Sequence, residues 1–152
     1  MLPTAFLMAL ASVGLSTPAP QAADDAEQIL EITRDFVVGF NDNDVERIMR
    51  HYSDVYVDVN HPHPVQSFME RASYYKTITS RGDTRVNITP DEIIIDSGMA
   101  AVRGQVQLSR KSADGRWRPA QERRYMELLR KAPDGRWRVI WGMEGEIAEE
   151  AS

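Results

Sequence analysis

The sequence predicts an α+β domain in which helices come first and an antiparallel sheet follows. Three observations carry this. From Asp24 to Gly82 apolar residues mostly recur at the three- and four-residue spacing of amphipathic helices, and beyond residue 85 the period changes to two. The last two connections carry the same pentapeptide, Asp114-Gly-Arg-Trp-Arg118 and Asp134-Gly-Arg-Trp-Arg138. Asp-Gly between alternating runs is a strong hairpin signal. Helices that all precede a meander can cover only one face of its sheet.

The chain has 152 residues, one domain's worth. Apolar residues make up 42% and charged residues 27%, with a mean hydropathy of −0.43, a globular balance rather than a disordered or multi-span one. A net charge of −5 offers no overall positive field to phosphate backbones, so nucleic acid is not expected as a partner. The absence of cysteine removes disulfides, thiolate metal sites and cysteine nucleophiles.

Residues 5 to 15, Ala-Phe-Leu-Met-Ala-Leu-Ala-Ser-Val-Gly-Leu, form an apolar run too short for a bilayer span, followed by Ser-Thr-Pro-Ala-Pro-Gln-Ala-Ala. This reads as a secretory signal peptide over 1–23, cleaved near Ala22 or Ala23, although no Lys or Arg precedes the run. The expected location is periplasmic or secreted, without stable membrane insertion, and residues 24–152 form a single domain.

Ala26, Ile29, Leu30, Thr33, Phe36, Val37 and Phe40 mark the first helix, with Asp24 or Asp25 able to cap it. Asn41-Asp-Asn-Asp44 is turn chemistry, and Asp44 suits the N-cap of a second, short helix with Val45, Ile48, Met49 and Tyr52 inward. Val55, Val57 and Val59 alternate with Tyr56, Asp58 and Asn60, a strand with one aliphatic and one polar face that exits through His61-Pro-His-Pro64. Val65, Phe68, Met69, Ala72 and Tyr75 indicate a third helix, closed by Gly82. Val86 to Asp96 reads as one or two extended pieces broken at Pro90. Met99 to Lys111, Arg118 to Lys131 and Trp137 to Glu146 read as three long strands.

Two stretches carry a family resemblance. Phe36-Val-Val-Gly-Phe-Asn-Asp-Asn-Asp-Val-Glu-Arg-Ile-Met-Arg-His-Tyr-Ser-Asp54 with the Val-rich strand, and Arg124-Tyr125 through Trp141, resemble the helix–corner–helix and closing hairpin of the NTF2-like superfamily, in its SnoaL-like, ketosteroid-isomerase-like and DUF4440-type branches. The resemblance implies a cone-shaped (cystatin-like) fold, three N-terminal helices on a strongly bent antiparallel sheet around a pocket, and a homodimer formed through the sheet. It does not fix the chemistry, because this fold carries enzymes and binding modules alike.

Ketosteroid isomerases need a Tyr in the first helix, a carboxylate base on the first strand and a protonated acid on a late strand. A gapless count from the Asn41 corner puts Phe36 and Asn60 at the first two positions, and neither has the required group. The late acid falls near Glu127. A strict steroid isomerase is therefore disfavoured, although a shift of one or two residues brings Asp58 to the base position.

If the polar face of the first strand looks into the pocket, Asp58 is the candidate general base, with Tyr56 and Asn60 beside it and His61 as a partner acid or base. If the valines form the core, Asp58 faces water. His61 and His63 could chelate an ion with Asp58, but prolines beside them fit rigid surface residues better, and no metal or cofactor is assigned. Phe36, Phe40, Arg123, Tyr125, Glu127, Trp141 and Met143 complete the expected pocket lining. Bulky Trp141 and Met143 suggest a greasy cavity with few polar anchors, suited to a small apolar organic ligand, or else a filled core. Only one of Arg123 and Arg124 can point inward. The leading expectation is an exported small-molecule-binding protein with acid/base chemistry of isomerase, dehydratase or cyclase type. The alternative is a non-catalytic association module using the outer sheet face.

Overall fold

Helix α1 spans Ala19–Asp42 in the computed structural model, which describes residues 19–59 and 65–146. It begins ahead of the expected Asp24, so Asp25 sits inside the helix instead of capping it. Asp25 is buried, and its carboxylate accepts hydrogen bonds from Lys131 Nζ at 2.6 Å and Trp137 Nε1 at 3.1 Å. The expected cleavage positions Ala22 and Ala23 fall within α1. Residues 1–18 lie outside the described residues. Ile29, Ile32 and Phe40 form the buried stripe of α1, with Phe36 packed against it.

The Asn41-to-Asp44 corner ties three elements together. The Asn41 amide donates to the Val86 carbonyl and accepts from the Val86 N–H, both at 2.9 Å. Asn43 takes a φ of 59° and accepts from the Thr79 hydroxyl at 2.5 Å. Asp44 caps α2 (Val45–Met49) as its composition requires, accepting from Arg47 N at 3.0 Å.

The strands are β1 (Tyr52–Asp58), β2 (Val65–Ser67), β3 (Thr84–Asp96), β4 (Met99–Lys111), β5 (Trp117–Lys131) and β6 (Trp137–Glu146), with α3 (Phe68–Thr79) between β2 and β3. They form one sheet in the order β2-β1-β6-β5-β4-β3. Every pairing is antiparallel except β1 with β6, which is parallel, a departure from the antiparallel sheet expected. β1 enters beside the start of β6, with Tyr52 opposite Val139, so the two strands run the same way. Val65 to Ser67, expected at the start of the third helix, instead pair with Val57 to Val55. Pro90 does not end β3; the ladder slips between Pro90 and Glu92 and then resumes. Such bulges bend strands and increase their twist. Gly115 and Gly135 take φ values of 79° and 80° at the two hairpin turns, where the Asp-Gly pairs placed them.

The phase of β1 is as the alternation indicated, and its sidedness is now resolved. Tyr56 is 3% exposed while Val55 is 67% exposed, so the polar face turns inward and the valines turn out. Among the described residues, no helix is long and apolar enough to cross a membrane.

Candidate functional site

Between the helices and the concave face of the sheet lies a cavity of about 560 Å³. Its apolar wall comes from the inward stripe of α1 and the inward positions of β3 and β4, among them Phe36, Phe40, Val86 and Val106. Its polar wall comes from β1, α3, β5 and β6.

Arg71 is the centre of that polar wall. It lies on the inward stripe of α3, three residues after Phe68 and four before Tyr75, and is only 9% exposed. Its Nη1 donates to Asp58 Oδ2 at 2.6 Å and its Nη2 to Tyr75 Oη at 2.8 Å. Four tyrosine rings surround the guanidinium, with centroids 4.7 Å (Tyr75), 4.9 Å (Tyr56), 5.4 Å (Tyr74) and 5.9 Å (Tyr52) from its carbon. Cation–π attraction at these distances helps to hold the charge in a largely buried position. Tyr75 and Tyr52 share a hydrogen bond of 3.1 Å between their hydroxyls. Burial pushes the Tyr75 hydroxyl up to about 12 despite the opposing pull of Arg71, and burial raises those of Tyr52 and Tyr56 as well. All three stay protonated near neutral pH and serve as neutral hydrogen-bond groups.

Glu127 faces the same cavity from β5, opposite Gly142 on β6. Desolvation pushes its carboxyl up to about 7, with Arg71 pulling down and Glu144 adding to the rise. A carboxyl titrating there can both give and take a proton at neutral pH. Gly142 is where β6 must lack a side chain, since a Cβ would collide with the Tyr56 hydroxyl.

Of the residues expected to line the pocket, Phe36, Phe40, Tyr56, Asp58, Arg123, Tyr125, Glu127 and Met143 do so. Trp141 does not. β6 slips by one residue between Val139 and Trp141 against Leu129 and Leu128, so Gly142 takes the inward position and Trp141 turns to the outer face. Asn60 and His61, with His63, lie outside the described residues. Arg123 is the inward member of its pair, donating to Glu144 at 3.3 Å and Gln121 at 2.8 Å. Arg124 is exposed and paired with Asp91 at 2.5 Å. Asp58 faces the cavity, but its carboxylate is engaged by Arg71. The expected greasy cavity is instead anchored by Arg71, Asp58, Glu127 and three tyrosine hydroxyls.

Sequence reading missed Arg71, Tyr52 and Tyr74 as site residues and placed Tyr75 only in the core. The signal was a cation inside the apolar stripe of the third helix, spaced i+3 from Phe68 and i−4 from Tyr75.

No family model and no curated protein matches the sequence. Solved structures do resemble this one. An NTF2-like protein with a cystatin-like fold from Novosphingobium aromaticivorans shares 16% identity at a TM-score of 0.70, over 91% of this chain and 95% of that one. A candidate dehydratase of the NTF2-like family from Streptomyces avermitilis shares 16% at 0.66, over 84% and 99%. A ketosteroid isomerase-like protein from Erwinia carotovora atroseptica shares 21% at 0.63, over 83% and 98%. The chain has the NTF2-like, cystatin-like fold.

Proposed function

We propose that this protein binds a small organic molecule in its cavity and performs proton-transfer chemistry on it, with Glu127 as the general acid or base. One observation carries the reading: a carboxyl raised to about 7 faces a cavity of about 560 Å³ beside Arg71 and its tyrosines. Asp58 becomes a positioning residue, because a base must first be free of its cation and Asp58 holds Arg71 at 2.6 Å. Buried tyrosine hydroxyls and a fixed guanidinium are the groups that stabilise a developing oxyanion. The kinship of fold to a candidate dehydratase and a ketosteroid isomerase-like protein agrees with chemistry next to a carbonyl.

The test is deuterium uptake from solvent at the carbon next to the carbonyl in a panel of cyclic ketones, followed by NMR. Saturable exchange that inflects near pH 7 and is lost in Glu127→Gln is the expected result. Exchange at the background rate, with ligand-induced melting shifts equal in wild type and variant, refutes the role of Glu127. Export is part of the proposal and rests on the apolar run of residues 5–15. N-terminal sequencing of the protein secreted by a bacterium checks it, and an intact Met1 in the cytoplasm refutes it.

A second reading concerns the outer sheet face. Ile94, Ala101, Leu128, Trp141 and Val57 stand directly opposite one another across five strands, and Ile94 is 57% exposed. This row supports pairing of two copies through the sheet. Light scattering of wild type and Ile94→Lys decides it: a dimer turned monomer supports the pairing, and a wild-type monomer rejects it.

A further inference from the structure

The chain carries a net charge of −5, yet four arginines line its cavity: Arg71, Arg81, Arg110 and Arg123. Their partners do not use them up. Arg81 and Arg110 stand exposed at the cavity edge, and among the described residues neither forms an ion pair. Four acids line it as well, and two of them pair with these arginines, Asp58 with Arg71 and Glu144 with Arg123; Asp83 accepts from the Thr84 hydroxyl at 2.9 Å, and burial raises the Glu127 carboxyl to about 7.

Arg71 has a further capacity. A guanidinium carries five N–H donors. Among the described residues Arg71 commits one to Asp58 and one to Tyr75, and its Nε is buried with no hydrogen-bond partner. An unmet donor on a buried cation is unfavourable unless something else accepts from it. The Nε of Arg123 is in the same condition. We propose that the molecule held in this cavity is an organic carboxylate, its ring or chain against the apolar wall and its carboxylate on the Arg71 guanidinium. This rests on the small-molecule reading above and narrows it to a chemical class.

The geometry favours a carboxylate over a more highly charged anion. A guanidinium is planar and matches a planar carboxylate, whose single charge repels the Asp58 already on the same cation less than a dianion would. A phosphate dianion would bring a second full charge against Asp58 and Glu144. Arg81 and Arg110 at the edge draw an anion inward before Arg71 receives it.

The test compares benzoate, cinnamate and naphthoate with their primary amides by isothermal titration against the full chain. Each pair shares a skeleton and differs in charge. The expected result is an acid preferred over its amide on the order of tenfold or more. In Arg71→Lys, which keeps the charge but loses the planar fork, the acid-over-amide ratio shrinks. Amide binding also reports that the variant is folded, and if it is not, the ratio in the wild-type chain decides alone. Acids and amides binding equally would overturn the carboxylate assignment and leave the small-molecule reading standing. A preference undiminished in a folded Arg71→Lys would overturn the assignment to Arg71. No binding by either series would overturn both readings.

Discussion

Two charged clusters in this molecule are built from the same residue types and are satisfied in opposite ways. On the far side of α1, the buried carboxylate of Asp35 accepts from Arg47 Nε at 2.8 Å, Arg50 Nη2 at 2.6 Å and His51 Nε2 at 2.6 Å. One acid there has three donors, and burial is outweighed by those bonds, which hold Asp35 below the usual carboxylate range. In the cavity one cation, Arg71, has among the described residues a single carboxylate, a tyrosine oxygen and four rings, and keeps a buried donor without a partner. The Asp35 cluster fastens α2 to α1, and its buried carboxylate is engaged on both oxygens. The Arg71 cluster leaves a donor unmet beside a cavity, and the carboxylate proposal rests on that difference.

Breaking the satisfied cluster gives the largest effect. Asp35→Ala, which removes the buried acceptor shared by Arg47, Arg50 and His51, is expected to lower stability by about 3 kcal/mol in urea unfolding while leaving ligand affinity in the cavity unchanged. Because the folded pKa of Asp35 is depressed, its contribution is fully present above about 4 and is lost as the pH falls through the lower folded value. Glu127 has the opposite sign. Its folded pKa is raised from 4.5 to about 7, so the folded chain binds this proton more tightly and stability falls as the pH rises between those values. Glu127→Gln is therefore expected to stabilise the protein by about 2 kcal/mol at a pH of about 8 and to do nothing near pH 4. Melting curves at the two pH values read this directly; equal shifts at both would place Glu127 outside the desolvated wall.

Gly142→Ala sharpens the contrast from the side of the cavity. The added methyl must displace the Tyr56 hydroxyl from beside Arg71, with an expected loss of about 1 to 2 kcal/mol and weakened carboxylate binding. The smallest effect belongs to Tyr74, which is half exposed and stacks on Arg71 from outside. Tyr74→Ala should remove about 0.5 to 1 kcal/mol by thermal melting, as an exposed cation–π contact does.

The element order, the Asn41 corner and both Asp-Gly hairpins were legible in the sequence because each rests on local chemistry: a period, a cap, a turn. The alternation of β1 was legible too, but not which face turned inward, since three valines make as good an inner face as two tyrosines and an aspartate until the neighbouring strands are known. Trp141 was misplaced for a related reason. A slip of one residue in β6 puts Trp141 out of phase with Val139, and nothing local marks Ile140 as the extra residue. Glu127 was reachable only through its distance from Gly135 and the resemblance. Arg71 was missed because a lone arginine on a helix usually reads as solvent-facing, and its meaning depends on Tyr52 and Tyr56 arriving from another element.

β6 lies between β1 and β5, although it is the last of these strands to leave the ribosome. Until it inserts, the β1–β2 ribbon and the β3–β5 meander are separate pieces, each with an unpaired backbone edge awaiting the same ten residues. Closing the gap joins strands distant in sequence, the kind of contact that slows folding. During synthesis the chain thus passes through a stage with two sticky edges and no cavity, and those edges are where mispairing or capture by a chaperone would occur.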